Sequence, residues 1–257
     1  MAVRAGTART NSRALVGPLE VDVLTFDQAL ARIAVPAARP ARTVTTANIQ
    51  QVALALGDPQ FARLVNASAI TVADGWPVAR VAGAIAGRPC QRVAGSALLP
   101  ALLTEAGRAG LSVAIVGGRP GAAEDVVGAH LESWPGSRAI ALSTAIPHAP
   151  DAETLALLAP ILDAEPFDLV ILALGSPKSD RLGRLIAAEL DSGTVLGVGA
   201  GVDFLAGKVR RAPLWLQRIG LEWAWRLCLE PRRLSGRYAR SAAAFAPVAL
   251  SAIWRRR

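Results

Sequence analysis

The stretch that decides the fold reads DLVILAL at residues 168–174 and is followed at once by GSP at residues 175–177. A continuous apolar run of this length, closed by glycine and proline, is typical of a strand buried on both faces of a sheet. The same pattern recurs at residues 111–116, before two glycines, and at residues 194–198, before Gly-Ala-Gly. Three buried strands are therefore predicted, each ending in a glycine-rich loop.

Shorter apolar or β-branched runs at residues 42–46 and 69–73 predict two further strands. Helical patterns separate the strands: one begins at Ile49, and another runs from Pro120, which suits a first helical turn, to about Trp134. Strands that alternate with helices indicate an α/β fold, doubly wound, with a mostly parallel, Rossmann-like sheet. In such sheets ligands bind at the carboxyl ends of the strands, where the glycine loops lie.

The composition excludes several classes of protein. The chain has 257 residues, of which 52% are hydrophobic and 19% are charged. This excludes a disordered chain, which would be poor in apolar residues. Cys90 and Cys228 form no C-x-x-C motif and are accompanied by only two histidines, so neither a disulfide scaffold nor a structural zinc site is expected.

The positive charge is concentrated in residues 208–257, called the tail below. The tail contains 12 Lys or Arg and 2 Asp or Glu, a net charge of +10, whereas residues 1–207 contain 16 and 18, a net charge of −2. Four of the six tryptophans also lie in the tail. This asymmetry predicts an anionic partner, which could be a membrane surface, a phosphate group or a nucleic acid.

These observations divide the chain into a flexible leader at residues 1–17, an α/β core at residues 18–207 and a basic, Trp- and Arg-rich helical appendage at residues 208–257. The leader has no continuous apolar run and so lacks the hydrophobic region of a signal peptide, which predicts a cytoplasmic protein. The longest uncharged stretch of the tail, residues 241–254, has 14 residues, fewer than the roughly 20 that span a bilayer.

Two glycine loops are candidate ligand sites. Gly117 and Gly118 lead into the helix predicted from Pro120, and the free N–H groups there either bind a phosphate or belong to an ordinary turn. The second loop, with glycines from Gly197 to Gly201, superficially resembles a dinucleotide-binding fingerprint. The G-x-G-x-x-G spacing fails because valine occupies the third position, so an NAD site is disfavoured.

Polar residues follow two of the predicted strands. Asp74 comes directly after an apolar strand and before a glycine, so it is either a base strengthened by burial or a turn residue bonded to its own backbone. Thr46 and Asn48 lie at the end of another strand. They either bind a polar ligand or, in the case of Asn48, cap the helix that follows.

The tail offers arginines for phosphate binding. A helix is predicted over residues 215–225, and if it continues through Pro231, then Trp223, Arg226 and Arg233 share one face. Arginine matches phosphate oxygens with two hydrogen bonds, and tryptophan combined with arginine is typical of a helix in the lipid headgroup region. The alternative is a solvated basic helix, which the many large apolar residues of the tail disfavour.

Taken together, these stretches resemble the WecG/TagA/CpsF family of glycosyltransferases (glycosyltransferase family 26) over about residues 20–240. No single motif is specific, but their order and spacing are. The matching stretches are TAN at 46–48, ADG at 73–75, RVAG at 92–95, GGRPG at 117–121, WPG at 134–136, LGSPK at 174–178, residues 199–207, RAP at 211–213, EW at 222–223, Arg226 and EP at 230–231.

The resemblance implies an inverting bacterial transferase that moves a sugar from a UDP-sugar to a polyprenyl-diphosphate-linked acceptor in surface polysaccharide synthesis. It implies a catalytic base, a set of pocket residues and a set of arginines that close over the diphosphate. The base is Asp74; the pocket residues are Thr46, Asn48 and Arg92; the closing arginines are Arg226, Arg233 and Arg237; the glycine-loop candidates for substrate binding are Gly117, Gly118, Gly175, Lys178 and Ser179.

The expected partners are the UDP-sugar, the lipid-linked acceptor and an anionic membrane surface, with the protein peripheral on the inner face of the cell membrane. A nucleic acid is not expected, and assembly into a homo-oligomer is left open. The sequence has no D-x-D motif to hold a metal. We therefore expect no cofactor, with arginines and helix N-termini in place of a metal ion.

One motif departs from the family. The usual P-K-Q-E reads here Pro177-Lys178-Ser179-Asp180, and a serine hydroxyl neither reaches as far as glutamine nor donates from an amide. This leaves the donor open among N-acetylmannosamine, its uronic acid and another hexose or uronic acid. It also motivates an alternative, a catalytically impaired, membrane-bound nucleotide-sugar binding or assembly subunit. A nucleotide-sugar oxidoreductase would need the dinucleotide fingerprint that is absent.

Overall fold

The computed structural model describes residues 13–35, 39–158 and 167–254. The strands are β1 (Arg13–Val16), β2 (Leu19–Asp22), β3 (Arg42–Ala47), β4 (Ile70–Ala73), β5 (Val113–Gly117), β6 (Ala139–Leu142), β7 (Leu169–Ala173) and β8 (Thr194–Gly197). Six of them form one parallel sheet in the order β4-β3-β8-β7-β5-β6, and β1 pairs with β2 in an antiparallel hairpin. The predicted α/β class and parallel, Rossmann-like sheet are confirmed.

Helices connect and cover the strands of the sheet. They are α1 (Phe26–Ala34), α2 (Ile49–Gly57), α3 (Pro59–Asn66), α4 (Trp76–Ala86), α5 (Gly95–Ala109), α6 (Ala122–Ser133), α7 (Ala152–Ala156), α8 (Lys178–Glu189), α9 (Gly201–Leu205), α10 (Leu214–Arg218), α11 (Glu222–Leu229) and α12 (Pro231–Trp254). Each of the five strands predicted from apolar runs is present, with ends that differ by at most two residues.

Both faces of the sheet are buried, as the continuous apolar runs require. In β5, Val113 and Ile115 pack with α1, α5 and α6 on one face. Ala114 and Val116 pack with α8 on the other face. Most side chains on both faces are apolar, with a few buried threonines such as Thr71 and Thr194, and the cavity residues gather at the carboxyl ends of the strands.

The leader predicted at residues 1–17 is wrong from Arg13 onward. Ala14 and Val16 in β1 are buried, and the Arg13 side chain donates to Asp22 at 3.3 Å. Strand β1 buries only alternate residues, so it has no continuous apolar run. Because strands are predicted from such runs, the sequence pattern places β1 in a leader. Residues 1–12 lie outside the described part of the chain.

The single helix predicted over residues 215–225 is also wrong, because α10 and α11 are separate. Gly220 has a φ of +79°, a left-handed conformation that ends α10 and turns the chain toward α11. The helix does not continue through Pro231 either: α11 ends at Leu229 and Pro231 opens α12. Proline has no N–H to continue a helix but suits a first turn.

The last helix is anchored in the body of the protein. Phe245 and Ala252 of α12 are buried in one apolar cluster with residues of β1, β2, α2, α3 and α4, and Val248 packs against that cluster. Among the described helices, none combines the length and apolar character that crossing a membrane requires. The predicted appendage therefore runs back along the core, and this route carries α11 and the start of α12 across the carboxyl edge of the sheet.

Candidate active site

One cavity of about 1100 Å³ opens at the carboxyl ends of β3, β4, β7 and β8, and α11 and α12 form its opposite wall. Its volume is at the upper end of ordinary ligand sites and leaves room for two substrates. It brings together ten of the residues predicted from sequence, namely Thr46, Asn48, Asp74, Arg92, Gly118, Gly175, Ser179, Arg226, Arg233 and Arg237.

Two predicted substrate-binding residues do not line this cavity. Gly117 is buried at the end of β5, where a side chain would meet Leu174. Lys178 turns away, and its Nζ donates to the carbonyl oxygen of Ile146 at 2.9 Å. The adjacent positions Gly118 and Ser179 are the ones that reach the cavity.

Asp74 lies between the end of β4 and the start of α5. Burial raises the pKa of its carboxyl to about 6, against the lowering effects of Arg92, of the Gly95 N–H group and of Arg226; Glu222 adds to the rise. The Gly95 N–H at the start of α5 favours the ionised carboxyl, and α5 has no capping side chain of its own. The raised pKa leaves the Asp74 carboxyl able to exchange a proton near neutral pH.

Arg92 is held against the cavity wall by a residue of the tail. Its Nη2 donates to Glu222 Oε2 at 2.6 Å, and Arg211 lies 3.5 Å from the other carboxylate oxygen of Glu222. Arg211 also donates to the Ser96 hydroxyl at 3.2 Å. These contacts tie the first residue of α11 to the start of α5, beside Asp74.

Three arginines of the tail converge on the cavity. The pKa of Arg237 is lowered, first by burial and then by the charges of Arg233 and Arg226, which shows that the three cations lie close together. Within the described residues, the Nε atoms of Arg226 and Arg237 are buried and have no hydrogen-bond partner. Guanidinium nitrogens that are buried without a hydrogen-bond partner, on cations that repel one another, are suited to bind an anion.

Asn48 and Thr46 combine a structural role with a place on the cavity wall. The Asn48 side chain accepts from the N–H groups of Gln50 and Gln51 and so caps α2. The Thr46 hydroxyl donates to the carbonyl oxygen of Gly197 at 3.0 Å, which ties β3 to β8. Both readings of Asn48 therefore fit the structure, since it caps the helix and also lines the cavity.

Ser179 and Asp180 occupy the start of α8 at the floor of the cavity. Gln51 Nε2 donates to Asp180 Oδ1 at 3.0 Å, and burial raises the pKa of the Asp180 carboxyl. The Ser179 hydroxyl and Asp180 Oδ2 have no hydrogen-bond partner among the described residues. This is the region in which the sequence departs from the usual P-K-Q-E motif.

The first glycine loop is tied to the tail as well as to the core. The N–H of Arg119 donates to Asp203 Oδ1 at 2.7 Å, and its guanidinium donates to Glu230 Oε1 at 2.7 Å. Glu230 also accepts from Arg233, and this hydrogen bond is the first cause of a lowered pKa at Glu230. Glu230 thus links the loop after β5 to the start of α12.

Sequence reasoning missed Glu222 and Glu230 as parts of the site. They are the two acidic residues among 12 basic ones in the tail, and each pairs with an arginine of residues 1–207. The signal available was that both residues belong to stretches that match the family, EW at 222–223 and EP at 230–231. The partner could not be identified, since 130 positions separate Arg92 from Glu222.

A comparison with protein families matches residues 15–257 to the Glycosyl transferase WecG/TagA/CpsF family. The match covers nearly the whole chain, so the chain belongs to this family. Members are glycosyltransferases of cell-envelope polysaccharide synthesis. Membership of the family implies that the protein has a sugar donor and an acceptor as partners.

Proposed function

We propose that this glycosyltransferase moves a hexose, N-acetylhexosamine or uronic acid from a UDP-sugar to a polyprenyl-diphosphate-linked acceptor, with inversion at the anomeric carbon. The single observation that carries the proposal is the meeting of a base and an anion site in one cavity. Asp74, with a pKa of about 6, faces the same space as Arg226 and Arg237, whose buried Nε atoms are unpaired. Direct displacement of a nucleoside diphosphate needs both.

In the proposed reaction, an acceptor hydroxyl oxygen attacks the anomeric carbon of the donor. The bond from that carbon to the diphosphate oxygen breaks, UDP leaves with the bonding electrons, and the hydroxyl proton passes to Asp74. General-base assistance of this kind contributes about 10²–10⁴-fold to the rate. The attack comes from the side opposite the leaving group, so the configuration inverts.

Arginines supply the positive charge for the departing diphosphate in this proposal. Arg226 and Arg237, assisted by Arg92 and Arg233, replace the solvation that the diphosphate loses on entering the cavity. Preorganised donors aimed at developing negative charge are usually the largest single contribution to catalysis. We propose that the reaction proceeds without a metal ion because these guanidinium groups serve that purpose.

The lipid-linked acceptor requires contact with a membrane surface, and the tail has suitable chemistry. Trp215 is 62% exposed and Ile219 is 60% exposed, on a segment with a strongly positive net charge. Exposed tryptophan and aliphatic side chains next to arginine are typical of peripheral binding in the headgroup region. The exposed large apolar residues of the tail are Leu214, Trp215, Ile219, Leu221, Trp223, Leu229, Leu250 and Trp254.

The experiment that tests the proposal is a donor screen. UDP-N-acetylmannosamine, its uronic acid, UDP-glucose and UDP-glucuronic acid are each incubated with a synthetic polyprenyl-diphosphate-linked sugar, and products are identified by mass. The proposal predicts one donor that yields UDP and an acceptor heavier by one sugar residue. UDP binding with no product from any donor would instead support the impaired binding subunit that the Ser179 replacement suggests.

A further inference from the structure

Glu222 is a buried carboxylate in the wall of the cavity that the proposed chemistry has not yet used. Glu222 is the first residue of α11, is 8% exposed, and lines the cavity together with Asp74 and Arg92. It has two cationic partners, Arg92 at 2.6 Å and Arg211 at 3.5 Å. A buried carboxylate needs cationic partners to be stable, which explains why Glu222 is paired. It does not explain why the pair lies beside Asp74.

The contacts show that anchoring the tail does not depend on this carboxylate alone. The turn at Gly220 lies directly against the indole of Trp76, where a Cβ on residue 220 would come within 2.5 Å of Trp76 Cδ1. Phe245 and Ala252 bury α12 in the core. Glu230 provides a second ion pair between the tail and the core, through Arg119.

Four groups face Asp74 from the elements packed around it. Arg92 comes from the segment before α5, the Gly95 N–H from α5 itself, and both Glu222 and Arg226 from α11. Arg92 interacts with two carboxylates, since its charge acts on Asp74 and its Nη2 donates to Glu222. The positive charge that acts on Asp74 therefore depends on whether the Arg92 guanidinium pairs with Glu222 or with Asp74.

We propose that Glu222 is a positioning residue for the transfer reaction: it holds Arg92 away from full pairing with Asp74, so that a residue of the tail keeps the catalytic carboxylate free to take a proton. This inference rests on the proposed role of Asp74 as the base. Glu222 also acts on Asp74 directly, because a second negative charge nearby disfavours the ionised carboxyl. Both effects make Asp74 a stronger base when the tail is seated.

Glu222→Gln tests the inference because it removes the charge and keeps the size of the side chain. Arg92 then turns wholly to Asp74, and both this pairing and the lost negative charge lower the pKa of Asp74. We expect the acid limb of the pH dependence of kcat/KM for UDP release to move down by about one pH unit. The rate on the plateau should fall about three- to tenfold, since a weaker base accepts the proton less readily.

Three further variants separate this positioning role from a merely structural one. Glu222→Asp keeps the charge and should restore the wild-type midpoint in part. Glu230→Gln removes the other tail carboxylate, which pairs with Arg119 and Arg233, and should leave the midpoint in place. Arg211→Gln removes the second cationic partner of Glu222, so that Glu222 pairs with Arg92 alone and its negative charge acts more strongly on Asp74. The midpoint should therefore move up. This variant also provides a test if Glu222→Gln fails to fold.

A titration that does not need activity separates this inference from the proposed function. The Asp74 carboxyl carbon is followed by NMR in protein labelled at aspartate, with the signal assigned by its loss in Asp74→Asn. A lower midpoint in Glu222→Gln supports the inference even if no donor is turned over. An unchanged midpoint in folded Glu222→Gln, together with an unchanged midpoint in Arg211→Gln, would overturn it, whereas absence of transfer by the wild type would overturn only the proposed function.

Discussion

Arg92 Nη2 lies 2.6 Å from Glu222 Oε2, and this ion pair joins the carboxyl edge of the sheet to the first residue of α11. It brings a segment with a net charge of +10 to a core with a net charge of −2 through one of the tail's two acidic residues. The same contact closes the cavity around Asp74. The charge asymmetry visible in the sequence thus has a structural counterpart: the tail supplies the cationic wall of the site.

The pKa of Asp74 predicts how activity depends on pH. A general base must be ionised, and the pKa of this carboxyl is raised to about 6. We expect kcat/KM to be constant above pH 7 and to fall about tenfold per unit below pH 6. The measurement is UDP release between pH 4.5 and 8.5, with circular dichroism at each pH to exclude unfolding; a rate that stays constant down to pH 5 would remove Asp74 from the role.

Loss of a cavity arginine should weaken binding of the diphosphate. Arg237→Gln removes a guanidinium group whose buried Nε has no hydrogen-bond partner among the described residues, and we expect the Kd for UDP to rise about 10- to 100-fold, since hydrogen bonds to charged groups contribute about 1.5–3 kcal/mol. Arg232→Gln is the matched control, because Arg232 is exposed on the same helix and does not line the cavity. Equal losses in the two variants, measured by calorimetry, would show that only overall charge matters.

The strands of the sheet could be predicted because their apolar runs are local and continuous. The strand at 168–174 and its glycine loop needed no tertiary information, and the end of the strand before Asp74 was located in the same way. The hairpin at Arg13–Asp22 could not be predicted, because short strands with alternating burial carry little signal.

Ten residues of the cavity could be predicted individually, whereas Glu222 and Glu230 were missed and the pairings could not be predicted. Asp74 and Arg226 were identified by their motifs, whereas the pairing of Arg92 with Glu222 depends on where the tail folds back. The break of the tail at Gly220 and Pro231 was not predicted, since the helix over residues 215–225 was expected to run through Gly220. Its consequence, that Arg233 reaches the cavity from a new helix, follows only from the path of the chain.

The close approach of α5 to β8 predicts that Gly95 cannot carry a side chain. A Cβ at Gly95 would lie 2.8 Å from the Val198 Cα and 2.9 Å from its carbonyl oxygen, both backbone atoms that cannot move alone. Gly95→Ala should shift the start of α5 and destabilise the protein by about 1–3 kcal/mol. The free energy of unfolding in urea measures this change.

Gly128 is the control for this substitution. It lies within α6, and a Cβ there would meet no atom within 4 Å. Gly128→Ala should therefore leave stability unchanged or raise it by about 0.5–1 kcal/mol, because alanine is the better helix former. Equal destabilisation by the two substitutions would contradict the close packing of α5 on β8.

Membrane binding is predicted to depend on the exposed apolar residues of the tail. Trp215→Ser and Ile219→Ser together should reduce flotation with vesicles that contain anionic lipid at least fivefold, since each buries apolar area worth about 1.5–3 kcal/mol. Leu56→Ser is the control, because Leu56 is also exposed but lies on α2, outside the tail. If Leu56→Ser lowered flotation as much as the double variant does, the result would argue against a membrane-binding face on the tail.

The central claim is that Asp74 is the base of a sugar transfer, and Asp74→Asn tests it most directly. Asparagine keeps the shape of the side chain but cannot accept the proton. With the donor identified by the screen, we expect UDP release to fall at least about 100-fold at pH 8 while the Kd for UDP changes less than about threefold. The Tm at pH 8 should not decrease, because the raised pKa means that burial penalises the ionised carboxyl. Release of UDP by Asp74→Asn at close to the wild-type rate would contradict the account.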